Sequence, residues 1–83
     1  MEKILVTLKV PSVQLEQDVM IPDFLPVKEV IKLLTEAVAD LTQNMYVSSG
    51  QEVLCRNAPT MVLNGKYTLQ DYGVEHGETL YLF

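Results

Sequence analysis

Eighty-three residues, 48% apolar and 20% charged, with 11 Asp and Glu against 6 Lys and Arg for a net charge of −5, describe one small domain over residues 1–83 that needs a compact core and short loops. One Cys and one His exclude an intrachain disulfide framework, a Cys-rich zinc site and the thiolate set of an iron–sulfur cluster, so no metal or cofactor is expected. Six scattered basic residues argue against nucleic acid, and apolar runs such as Ile4 to Val6 and Met61 to Leu63 fall far short of the roughly 20 residues a bilayer-spanning helix requires.

The amino terminus leads at once into an alternating segment with no secretory signal, which predicts a cytoplasmic protein. Residues 3–10 place Ile4, Val6, Leu8 and Val10 on one face of a strand, with Leu5, Thr7 and Lys9 on the other. Pro11 and Ser12 break the run. A second alternating run, with Val13, Leu15, Val19 and Ile21 on one face, completes a predicted hairpin. Pro22 to Leu25 is a connector, and Pro26 is favoured at the first turn of a helix.

From Val27, apolar residues at 27, 30, 31, 34, 38 and 41 form one helical stripe opposite Lys28, Glu29, Lys32, Glu36, Asp40 and Gln43. Lys32 and Glu36 are spaced for a weak pair, and the helix is expected to end near Gln43 or Asn44. Met45 to Gly50, with its Ser48-Ser49-Gly50 cluster, reads as a loop.

Residues 52–56 alternate again, predicting a third strand with Val53 and Cys55 toward the core and Leu54 and Arg56 away from it. Asn57, Ala58 and Pro59 interrupt it, and a short strand over Thr60 to Leu63 follows. Asn64-Gly65 is the pair most ready to take positive φ in a tight turn. Thr68 to Val74 reads as a helical turn leaving through Gly73. His76-Gly77-Glu78 then turns the chain into a last strand from Thr79 to Phe83.

The order strand, strand, helix, strand, strand, strand implies an α+β fold in which one helix covers one face of a mixed four- to five-stranded sheet and leaves the other face wet. That is a β-grasp pattern. Thr68-Leu69-Gln70-Asp71-Tyr72-Gly73-Val74 followed by Glu78-Thr79-Leu80-Tyr81-Leu82 resembles the closing third of ubiquitin. Within that superfamily, Pro22-Asp23-Phe24-Leu25-Pro26-Val27-Lys28-Glu29-Val30-Ile31 is similar to the bacterial YukD/EsaB family of small ubiquitin-like proteins associated with type VII (Esx) secretion. Asn64-Gly65 leading to Tyr72-Gly73-Val74-Glu75-His76-Gly77-Glu78 shares that similarity.

The resemblance implies a cytoplasmic, non-enzymatic adaptor or regulator of a type VII secretion system whose partners are proteins, with no nucleic acid and no membrane insertion. Conjugable modifiers and sulfur carriers of this fold carry a flexible tail ending in Gly-Gly. A chain ending at Phe83 is expected to lack that chemistry, which sets the covalent modifier behind the adaptor. A small β-grasp subunit of a larger enzyme complex is the other alternative. No nucleophile–base set or phosphate loop is legible, so no catalytic residue is expected.

The protein-binding candidates are Leu5, Leu54, Arg56, Tyr81 and Phe83, which alternation gathers on the sheet face away from the helix; a homodimer through the same patch is the competing occupant. Cys55 is expected in the core, and His76 in a solvated turn. By resemblance, the Tyr72 hydroxyl is expected to anchor the backbone near Asn64.

Overall fold

The protein was analysed as a computed structural model, which describes residues 3–43, 45–46, 50–57 and 60–83, without the side chains of 57 and 60. Asn44 at the expected helix end, Ser48 and Ser49 of the expected turn cluster, and the expected break at Ala58-Pro59 lie outside the described residues.

Strand β1 (Lys3–Val10) and strand β2 (Leu15–Pro22) form the hairpin, joined by a 3-10 turn over Pro11–Val13. Helix α1 (Val27–Leu41) follows, then β3 (Leu54–Asn57), β4 (Thr60–Val62) and β5 (Thr79–Leu82). The sheet runs β2-β1-β5-β3-β4, with β1 and β5 parallel at its centre and the other pairs antiparallel. One helix on one face of this mixed sheet is the β-grasp arrangement that the element order predicts.

Most of the helix stripe is where its spacing suggests: Val27, Val30, Leu34 and Val38 are buried against Ile4, Val6, Leu8 and Val10 of β1 and against Leu80 and Leu82 of β5, and Ile31 is partly buried, while Leu41, the last residue of the expected stripe, is exposed at the helix end. The helix stops at Leu41, two to three residues before the expected end, and Gln43 turns into the left-handed region at φ 54°. The weak ion pair of Lys32 runs to Glu29, at 3.8 Å, where Glu36 was expected.

Two expectations about loops meet different physics. Neither Asn64 nor Gly65 takes positive φ. The space at 65 is tight: a Cβ there would lie 3.1 Å from the Cβ of Lys28, where the loop presses on the first turn of α1. That approach has a purpose. The first amides of a helix lack intrahelical acceptors, and here Val27 N–H donates to the Tyr67 carbonyl (2.7 Å) and Lys28 N–H to the Gly65 carbonyl (3.2 Å).

The Thr68–Val74 segment is a turn held at its start by a reciprocal cap: the Asp71 carboxylate accepts from Thr68 N–H at 3.0 Å, and the Thr68 hydroxyl accepts from Asp71 N–H at 2.9 Å. It leaves through Gly73 at φ 69°. The Tyr72 hydroxyl accepts from the Asn64 N–H at 2.8 Å, as expected. Tyr72→Phe should therefore cost about 1 kcal/mol in chemical denaturation. No measurable loss would show that water replaces the hydroxyl without penalty.

Candidate functional site: the open face of the sheet

Residues directly opposite each other on paired strands share a face. Leu8 opposite Leu80 fixes the helix side of the central pair, and Leu54 opposite Leu82 carries that side into β3. The intervening residues, Leu5, Thr7, Lys9, Tyr81, Cys55 and Val62, must then look away from the helix.

This reverses the expected orientation of β3. Leu54 is fully buried in the core cluster, so it is not a surface contact, while Val53 is 38% exposed. A shift of one residue in the phase of a strand exchanges its two faces. The phase here is fixed by the β3–β5 register and by mutual hydrogen bonds between Val53 and Phe83, both 2.9 Å. Arg56, opposite Leu80, also lies on the helix side. Its guanidinium donates through Nε and Nη2 to Glu78 Oε1 (3.1 and 2.7 Å) and through Nη1 to the Tyr72 carbonyl (2.8 Å). Glu78 Oε2 accepts from Glu75 N–H at 2.7 Å, so the pair ties three segments of chain together. Arg56 is thus a structural clasp.

Of the five expected binding residues, Leu5, Tyr81 and Phe83 do share the open face. Tyr81 and Phe83 stack nearly parallel, 5° between planes and 6.1 Å between centroids, and Phe83 is 59% exposed. The residues missed are Val53, beside Phe83, and Val62, opposite Cys55 and 60% exposed. Cys55 is buried, yet on this open side of the sheet, between Tyr81 and Val62, and outside the helix-side core cluster.

The other half of the face is polar. Lys9 Nζ stands 5.8 Å from the Tyr81 ring centroid and 3.5 Å from Glu16, and the Thr7 hydroxyl donates to Asp18 at 2.9 Å. The surface therefore grades from aromatic and aliphatic over β3 and β5 to charged over β2.

His76 is exposed but engaged: its Nδ1 accepts from Leu5 N–H at 3.0 Å, and Gly77 N–H donates to the Leu5 carbonyl at 2.6 Å. Among the described residues no group of three or more His, Cys, Asp or Glu is placed to hold a metal, and no helix is long and apolar enough to cross a membrane. Tyr46 has its phenol pushed up to about 12, by burial first and then by its hydrogen bond to Glu52 (3.0 Å) and the charge of that carboxylate. It packs against the core edge, away from the open face.

Known proteins give this geometry a context. The ubiquitin-like domain of the type VII secretion system protein ECCD1 of Mycobacterium tuberculosis superimposes with a TM-score of 0.77 at 19% identity, covering 99% of this chain and 98% of that one. The ubiquitin-like domain of Plasmodium falciparum Dsk2 gives 0.75 at 25% identity, covering 98% and 96%. A chain of the MycP5-free ESX-5 inner membrane complex gives 0.71 at 16% identity over all of this chain and 21% of that one. These likenesses establish a ubiquitin-like fold. None of the individually curated proteins matches the chain. The family model for protein YukD of the WXG100 protein secretion system (Wss) matches residues 4–82, so the chain belongs to the YukD family.

Proposed function

We propose that this protein is a non-enzymatic, cytoplasmic ubiquitin-like adaptor of a type VII secretion system, and that it binds a protein of that machine through the open face of its sheet without being conjugated. The observation that carries the reading is the cluster of Val53, Tyr81, Phe83 and Val62 on a face that the helix leaves uncovered. Contiguous apolar and aromatic side chains in the open mark interaction surfaces more often than isolated ones do. Family membership supplies the setting, and the similar domains in ECCD1 and in the ESX-5 inner membrane complex support a place beside a membrane-bound assembly.

Affinity capture from the native cell, with secretion-machine components quantified by mass spectrometry, tests this. The triple variant Val53→Ala, Tyr81→Ala, Phe83→Ala should recover about tenfold less of those components, since a loss of about 1.4 kcal/mol suffices for that factor. Equal recovery by a folded variant would overturn the role of this face. An adduct on the intact mass of the captured protein would overturn the non-conjugated reading.

A further inference from the structure

A second surface lies at the β2 margin of the sheet, remote from the aromatic cluster. β2 is an outermost strand, so among the described residues one row of its backbone groups has no strand beside it. Which row follows from β1. Leu5 and Thr7 direct their backbone toward the β5 side, where Leu5 bonds His76 and Gly77, and Thr7 N–H donates to the Glu78 carbonyl. The alternate residues Ile4, Val6 and Leu8 therefore pair with Ile21, Val19 and Gln17. The N–H and C=O groups of Glu16, Asp18 and Met20 are left facing outward. The Asp18 carbonyl has only a 3.5 Å approach from Gln17 Nε2, and Pro22, lacking an N–H, ends the row.

Beside this free edge, between β2 and α1, runs an apolar groove of about 510 Å³ lined chiefly by Val19, Ile21, Leu33 and Ala37. Leu33 and Met20 on its rim are exposed. A strand added to β2 would send every second side chain into this groove and the alternate ones onto the open side of the sheet, beside Glu16 and Asp18.

The charges select the occupant. At about 100° per residue, Asp40, Glu29 and Glu36 fall within about 60° of Leu33 on the helix, while Lys28 and Lys32 fall about 100° or more away. The helical flank bordering the groove is acidic through Asp40 and Glu36, with Glu29 3.8 Å from Lys32, and the outward side of β2 carries Asp18 and Glu16, the latter 3.5 Å from Lys9; Lys3 lines the groove at its Pro22 end. A second copy of this chain pairing edge to edge about Gln17 would set Glu16 of one copy opposite Asp18 of the other, which opposes that pairing. We propose that the β2 edge and its groove accept an extended segment of a different protein, in which apolar residues alternate with lysine or arginine.

A seven-residue synthetic peptide alternating valine and lysine, titrated into the 15N-labelled protein, is the test, with a valine–glutamate peptide beside it. The lysine peptide should shift the amide signals of Glu16, Asp18 and Met20 and bind about tenfold or more tightly than the glutamate peptide. The folded double variant Glu16→Lys, Asp18→Lys should lose that preference. Unmoved signals at these three residues at millimolar peptide, equal binding of both peptides, or shifts confined to Val53, Tyr81 and Phe83 would each overturn the proposal. The last outcome would leave the open-face reading intact.

Discussion

Leu54→Ala is expected to lower stability by about 3 kcal/mol, a large-to-small change at a fully buried core site. For a domain of this size total stability is on the order of 4–12 kcal/mol, so this one truncation removes a substantial part of it and should lower Tm by about 12–24 °C. Val53→Ala, one residue earlier and on the open face, should cost less than about 1 kcal/mol. Thermal denaturation of the two variants side by side decides which face each residue occupies. If the order were reversed, β3 would have the phase that its own alternation suggests, and Leu54 would return to the binding surface.

The second large effect belongs to the clasp. Arg56→Ala should cost about 2 kcal/mol, because it leaves the Glu78 carboxylate, 24% exposed, and the Tyr72 carbonyl without their shared donor. Arg56→Lys keeps the charge but not the fork that reaches both acceptors, so it should recover only about half of that loss. The exposed pairs Lys9–Glu16 and Lys32–Glu29 provide the contrast, and neutralising either should change stability by less than about 0.5 kcal/mol. Urea denaturation of all four variants tests the ranking; equal effects would mean that the clasp behaves as an ordinary surface pair.

These two residues also show where reading the chain succeeds and where it stops. β1 and α1 are legible because each has one face that is apolar and one that is not, so local periodicity alone fixes their orientation. In β3 the run Val53-Leu54-Cys55 is apolar on both faces, and four residues carry no phase. Only pairing with β5 decides it, through Leu54 opposite Leu82. An antiparallel pairing that sets Leu54 opposite Leu82 brings it to the core side, whereas a register shifted by one residue would turn it outward.

Arg56 misled for a related reason. A charged residue suggests solvent, whereas its acceptor, Glu78, lies 22 positions away in a turn whose path the local pattern does not reveal. Of the candidate site, Tyr81 and Phe83 were readable from the β5 alternation. Val53 and Val62 were not, since Val53 borders and Val62 belongs to short strands that take their orientation from neighbours. The role of Gly65 was hidden for the same kind of reason: the Asn-Gly pair signals a turn, but the close approach to Lys28 is a tertiary fact.

The central position of β5, parallel to β1 and antiparallel to β3, bears on how the chain is made. A ribosome delivers β1 first, and the strand that must lie between β1 and β3 follows it by about seventy residues of synthesis. Until then the hairpin and the apolar stripe of α1 have no complete sheet to close on, and among the described residues no strand joins the β3–β4 pair to the hairpin. Such sequence-distant pairing is slow to form and leaves apolar surface open in the interim. Folding is thus tied to the delivery of Leu80 and Leu82, and nascent chains stalled before them would be substrates for chaperones or proteases.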